Sequence, residues 1–320
     1  MIKSVTVINH RGETCKIVLS ESDPAHGLLI TNITGIGPGD AIINTSDFAT
    51  NDGSEFNSAR LSYRSIQLTI LLSDDNDVMT IEKARHNSYK YFPLKKQVRL
   101  IFETDDRYLY IDGRVEKNEP NVFSKNESIS VGIKCPDPYF YKYIPGTDSR
   151  EVAEIMSVFP AFEFNETEVE PDEYQGELET PYEVGEYSAP GDLVKTITYD
   201  GEVDAGFEAR IRLVGELQGD IILSRYGVTG EYFRIDKDVL IALTGGLNTG
   251  DEIVFSTDPK NCYCKIIQNG IEKNVLNAVD LDNSTWLLLY PGNNTFQYAV
   301  LDGLDYTQLT IIYRTMFIGV

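Results

Sequence analysis

Cys262-Tyr-Cys264 places two thiols two residues apart in strand-like sequence, where they would share one face of a sheet. A structural zinc needs four clustered ligands. None of the three histidines, His10, His26 and His86, lies near this pair in the sequence. Cys15 and Cys135 complete a set of four cysteines, too few and too scattered for a disulfide framework, so all four read as free thiols. Asp74-Asp-Asn-Asp77 has the composition of a calcium loop but lacks the turn glycine and a glutamate at the twelfth position. Gly35-Ile-Gly-Pro-Gly39 has the glycines of a phosphate loop without its Gly-Lys-Ser/Thr ending, and reads as a turn before Ala41-Ile-Ile43. There is no Gly-x-Ser-x-Gly elbow, and three histidines leave few partners for a nucleophile. Carboxylate pairs for glycoside hydrolysis exist wherever 50 acids do, and only their separation in space decides. Trp286, the single tryptophan, either stacks on a sugar or packs at a core rim. The chemistry thus points away from an enzyme: no catalytic residue, no metal and no cofactor is expected.

The charge balance narrows the partners. The 320-residue chain carries 50 acidic and 28 basic residues, a formal −22. Such a surface repels nucleic-acid phosphates and anionic lipid. The first residues, Met1-Ile-Lys-Ser-Val-Thr-Val-Ile-Asn9, alternate like a strand rather than a signal peptide. Apolar runs reach about five residues, against the roughly 18 a membrane span needs. A soluble protein made in a cytoplasm, with no membrane partner, is expected. Residues 151–192 hold 13 acids and no Lys or Arg, so −13 sits in that segment and −9 in the other 278 residues. The segment reads either as a calcium or cationic-partner site or as solvated edges and loops.

The elements that position these residues are mostly strands. Ser65-Ile-Gln-Leu-Thr-Ile-Leu-Leu72 and Ser128-Ile-Ser-Val-Gly-Ile-Lys134 alternate, and residues 98–102 and 107–111 flank a hairpin turn. One long helix is expected from about 76 to 91, with acidic residues before it and Pro93 after it. Residues 193–320 read as short strands separated by turns such as Asn269-Gly270 and Pro291-Gly-Asn-Asn294, the pattern of a β-sandwich. Length and composition divide the chain into residues 1–148 and 149–320, the second beginning with the acidic segment.

Two stretches carry a family resemblance. The first runs through Ile81-Glu-Lys-Ala-Arg-His86, Tyr89-Lys-Tyr-Phe-Pro93, Val98-Arg-Leu-Ile-Phe-Glu-Thr-Asp105, Val115 and Val122-Phe-Ser-Lys125 to Ile133-Lys-Cys-Pro-Asp-Pro-Tyr-Phe140. The second comprises Tyr199-Asp-Gly-Glu202, Gly250-Asp-Glu-Ile253, Ser284-Thr-Trp286, Pro291-Gly-Asn-Asn294 and residues 313–320. Together they resemble the distal tail protein family of long, non-contractile-tailed bacteriophages. The resemblance implies a mainly β protein: an N-terminal, β-sandwich or barrel-like domain that forms a ring, and a projecting C-terminal galectin-like β-sandwich. It implies a structural virion protein at the distal end of the tail, a homo-hexameric ring through which DNA passes without specific binding. The implied partners are the tail tube protein, the tail-tip protein and receptor-binding proteins. The alternative is a carbohydrate-binding, lectin-like adhesion module, weakened because no histidine follows residue 150. The acidic segment departs from the family pattern.

Two groups of residues stand out on this reading. Cys135-Pro136-Asp137-Pro138 marks the end of a domain, because two prolines fix φ, restrict the residues before them and stop strand pairing. Residues 49–64 read as a long polar loop. Phe56 and Tyr63 would anchor a contact between subunits, and Arg60 and Arg64 would pair with a neighbour's acids.

Overall fold

A computed structural model describes residues 1–19, 26–73, 79–122, 127–156, 193–300 and 307–320. The chain is mainly β and divides into two compact units. Unit 1 comprises Met1–Arg150, Gly201–Val203 and Arg314–Val320; unit 2 comprises Glu151–Asp200 and Asp204–Tyr313.

Unit 1 contains β1 (Ser4–Asn9), β2 (Thr14–Val18), β3 (Leu28–Thr34), β4 (Ala41–Asp47), β5 (Ser54–Leu61), β6 (Arg64–Leu72), α1 (Ile81–Tyr91), β7 (Gln97–Glu103), β8 (Tyr108–Asn121), β9 (Ser128–Cys135) and β10 (Phe140–Lys142). Its main sheet runs β2-β1-β7-β8-β9-β6-β3, with antiparallel neighbours throughout. Alternation builds its core. Ile66, Leu68, Ile70 and Leu72 of β6 point inward with Val5, Val7, Leu100, Phe102, Ile129, Val131 and Ile133, while Ser65, Gln67 and Thr69 face the other way. Gly113 in β8 is held by a close approach: a Cβ there would stand 2.6 Å from Ile133 Cγ2.

The helix starts later than its acidic residues implied. Residues 79 and 80 are not helical, and Thr80 is the N-cap, its hydroxyl accepting the Lys83 N–H at 3.3 Å. Residues 74–78 lie outside the described residues. Ala84, Ser88 and Tyr91 are buried, and Pro93 follows the C-cap Phe92.

Unit 2 contains β11 (Glu151–Met156), β12 (Leu193–Tyr199), β13 (Phe207–Leu213), β14 (Ile221–Arg225), β15 (Tyr232–Ile235), α2 (Lys237–Thr244), β16 (Glu252–Ser256), β17 (Tyr263–Gln268), β18 (Ile271–Asn274), β19 (Gly292–Val300) and β20 (Thr307–Tyr313). They form two antiparallel sheets, β11-β20-β13-β16-β17-β18 and β12-β19-β14-β15. Aromatic pairs join the sheets: Phe207 to Phe296 at 5.7 Å and Phe233 stacked on Phe255 at 4.2 Å. This is a β-sandwich. The apolar run 239–243 belongs to α2, capped by the Asp236 carboxylate at one end and by Gly245 (φ 82°) at the other. After unit 2 the chain returns to unit 1 as β21 (Met316–Phe317), which pairs with β10.

Glu103 ties four strands of unit 1 together. It accepts from Lys16 Nζ at 2.7 Å, Ser4 Oγ at 2.6 Å and Tyr108 Oη at 2.9 Å. The Lys16 hydrogen bond first, then those of Ser4 and Tyr108, lower its pKa to about 2. A depressed carboxylate contributes stability above its unfolded pKa and loses it as pH falls through the folded one. Glu103→Gln is therefore expected to lower the melting temperature at neutral pH, with the gap to wild type closing between about pH 4.5 and 2. Melting curves at stepped pH check this; a gap that stays constant down to pH 2 would remove Glu103 from the acid response.

Candidate assembly surface

Residues 49–64 do not form a loop. Residues 54–61 are β5, which pairs with β4 in a two-stranded antiparallel ribbon. Among the described residues these two strands pair only with each other. The register runs from Ala41 opposite Leu61 to Asp47 opposite Ser54, with a bulge that leaves Asn57 unpaired between Asn44–Ser58 and Thr45–Phe56. The bulge sorts the side chains. Ala41, Ile43, Thr45, Phe56, Ala59 and Leu61 lie on one face, with Asp47 and Ser54 at its tip. Ile42, Asn44, Ser46, Glu55, Ser58 and Arg60 lie on the other. Asn44 Nδ2 donates to Ser58 Oγ at 2.9 Å on the polar face. The apolar face has no such cover: Ile43 and Phe56 are each 63% exposed. A lone two-stranded hairpin is marginal in water, and an apolar ribbon face left open is a surface for association.

The four expected contact residues separate. Phe56 sits on the apolar face and Arg60 on the polar one, both exposed. Tyr63, beyond the ribbon, is 57% exposed, with Lys134 Nζ 5.3 Å from its ring. Arg64 is not a surface residue, which corrects the expectation that it pairs with a neighbour. It is 4% exposed. As the first residue of β6 it has the same parity as Ile66, Leu68, Ile70 and Leu72, so the pleat turns it inward. Its guanidinium takes backbone carbonyls from three segments. Nε donates to Pro138 O at 2.7 Å, Nη1 to Gly35 O at 2.9 Å and to Gly37 O, and Nη2 to Ile318 O at 2.6 Å. The Phe140 ring lies 4.6 Å from Cζ. Burial pushes its pKa down from the ordinary arginine value.

Cys135-Pro136-Asp137-Pro138 is the other wall of this node. Strand β9 ends at Cys135, as the prolines require. Burial pushes the Cys135 thiol up to about 12. The Asp137 carboxylate accepts from Tyr141 Oη at 2.6 Å, and Pro138 contributes its carbonyl to Arg64. The motif orders backbone and presents no nucleophile.

The remaining candidates stay apart from one another. Gly35-Ile-Gly-Pro-Gly39 is a turn leading into β4. Cys262 precedes β17 and is exposed, while Cys264 lies within it and is buried, so the two thiols do not share a face. The strand starts one residue too late for that. Burial pushes the Cys264 thiol up to about 12. Trp286 packs half-buried against Phe233 with ring centroids 5.1 Å apart. Among the described residues no three His, Cys, Asp or Glu side chains gather as a metal site. Of the acidic segment, residues 151–156 form β11, and 157–192 lie outside the described residues. The ribbon's apolar face and the Arg64 node escaped the sequence reading. The parity of Arg64 with residues 66–72 was the available signal for the second.

No family model matches the chain, and no curated protein matches its sequence. Solved structures do. The Dit protein of phage SPP1, described as a paradigm of the hub adsorption apparatus in phages infecting Gram-positive bacteria, aligns at a TM-score of 0.59 and 11% identity. The alignment covers 98% of this chain and 99% of that one. Two structures of the phage P2 baseplate in its activated conformation, with Ca and with Sr, align at TM-scores of 0.40 and 10% identity. They cover 98% and 97% of this chain, and the same shares of theirs. The chain has the fold of SPP1 Dit across nearly its whole length, in agreement with the family resemblance of its motifs.

Proposed function

We propose that this chain is a structural hub protein of a bacteriophage tail. The observation that carries the reading is the fold shared with SPP1 Dit over 98% of the chain. The protein stands at the distal end of the tail, where a homo-hexameric ring joins the tail tube protein to the tail-tip protein and carries receptor-binding proteins. Residues 1–148, together with residues 314–320 that belong to the same compact unit, supply the ring. It catalyses no reaction.

Two features support self-assembly over a monomeric role. The β4–β5 ribbon offers an apolar face that a second copy of the chain would cover. Closed rings arise when one surface of a subunit meets a different surface of the next. Charge is also divided between the units. Unit 1 holds 19 Lys and Arg against 21 Asp and Glu, a formal −2, which leaves −20 of the −22 in unit 2. A nearly balanced wall neither holds nor strongly repels phosphates, which suits a conduit that DNA passes through without binding.

Native mass spectrometry of the full chain tests this. The expected species has six times the 35.9 kDa chain mass, and images of it show a sixfold ring with a central opening. A chain that stays monomeric at tens of micromolar and binds glycans on an array would replace this reading with the carbohydrate-binding one.

A further inference from the structure

We infer that Arg64 and residues 316–320 form a clamp on the root of the β4–β5 ribbon, so that the assembly surface is presented only after residues 316–320 have folded back onto unit 1. The inference rests on the reading of that ribbon as an assembly surface.

Both ends of the ribbon run into the node. Residues 35–40 lead into β4, and Ser62 N donates to Asp40 O at 3.1 Å to close the root. Two residues later comes Arg64, whose Nη1 takes the Gly35 and Gly37 carbonyls on the incoming side. Gly35 allows this approach: its φ is 83°, and a Cβ there would meet Ser65 O at 2.0 Å. One guanidinium thereby sets the direction in which the ribbon leaves the sheet.

The C-terminal residues complete the clamp. Ile318 O receives Arg64 Nη2, and Val320 N donates to Ile36 O at 3.0 Å. Gly319 lies against the same turn, where a Cβ would stand 3.1 Å from Ile36 O and 3.5 Å from Gly37 Cα. The tail is itself held. Ile318 N donates to Glu202 Oε2 at 3.0 Å, Glu202 N donates to Met316 O at 2.8 Å, and Arg107 Nη1 reaches Glu202 Oε1 at 3.0 Å. Arg107 also lies over the Phe317 ring at 4.8 Å.

The order of synthesis gives this arrangement its consequence. Ile318 is 254 residues from Arg64, and the whole of unit 2 lies between them. A chain emerging from N- to C-terminus exposes the ribbon long before the clamp can close. An open root leaves the ribbon free to swing, and an unfixed direction raises the entropy cost of docking it on a neighbour. A chain whose residues 316–320 have not docked is thereby kept out of the ring.

The test uses the full chain with Arg64→Lys, which keeps the charge but cannot span carbonyls from three segments. Gly319→Val is the second variant; it pushes the tail off the 36–37 turn without touching the guanidinium. Hydrogen exchange is read at 36–40 and 316–320, with β7 and β9 as internal controls. Light scattering across concentration reads assembly. Both variants should exchange faster at the root, keep protection in β7 and β9, and assemble only at tenfold or higher concentration. The clamp is overturned if root exchange stays at the wild-type rate in both variants, if root and control strands loosen together in both, or if the root loosens and assembly does not shift. A wild-type chain that never assembles strikes the hub reading instead; root exchange then decides the clamp alone.

Discussion

Ile43→Asp combined with Phe56→Asp is expected to leave the chain folded and to abolish the proposed self-assembly into a ring. Both side chains are 63% exposed on the same face of the ribbon, so folding gains little from them in the isolated chain. Exposed substitutions of this kind change stability by about 0.5 kcal/mol or less. In an interface the same residues become buried anchors, and loss of an apolar hot spot costs on the order of 2 kcal/mol. Two such losses, with a carboxylate desolvated at each position, weaken association by roughly a thousandfold. The opposite face supplies the control. Ser58→Asp adds one carboxylate, half the charge of the double variant, to the same ribbon among Asn44, Ser46 and Arg60, and should assemble close to the wild-type concentration. Light scattering over a dilution series, with melting curves alongside, separates the cases. A double variant that assembles like wild type places the subunit contact elsewhere; equal loss in Ser58→Asp indicts the ribbon as a whole and not its apolar face.

Much of the fold was legible where side chains alternate without interruption. Residues 65–72 and 128–134 appear in β6 and β9, because one face of each is buried and period two is enforced. The ribbon was not legible for a definite reason. In Ser54-Glu-Phe-Asn-Ser-Ala-Arg-Leu61, strict alternation puts Phe56 with Ser58 and Arg60, which looks polar on both faces. The bulge at Asn57 shifts the phase and places Phe56 with Ala59 and Leu61. Helix α2 was hidden by its eight residues, too few for a helical period to show, although Asp236 and Gly245 are both capping residues. Arg64 has the charge of a surface residue but the phase of the buried positions 66–72 of β6, and the phase decides its place. The carbonyls it takes come from residues 35–37, 138 and 318, and no local pattern can announce a partner that far along the chain.

Arg64→Ala is expected to produce a large loss of stability in unit 1. The guanidinium is buried with backbone carbonyls and the Phe140 ring around it. Hydrogen bonds to a charged group contribute about 1.5–3 kcal/mol each, and an acceptor left buried without a donor costs about 1–3 kcal/mol. Removing the charge also removes its own desolvation penalty, which offsets part of that sum. The net loss is on the order of 3–5 kcal/mol, and a domain of this size then melts roughly 10 °C lower. The chain carries its own control. Trp286, the only tryptophan, lies in unit 2 against Phe233, so its fluorescence reports the sandwich alone. Circular dichroism follows the strands of both units. Each unit has a core of its own, and domains unfold as cooperative units. Arg64→Ala should therefore bring forward a dichroism transition that the Trp286 signal does not share. If the two signals move together, the node stabilises the whole chain and not unit 1. If neither moves, the carbonyls find other donors and the guanidinium is dispensable to the fold.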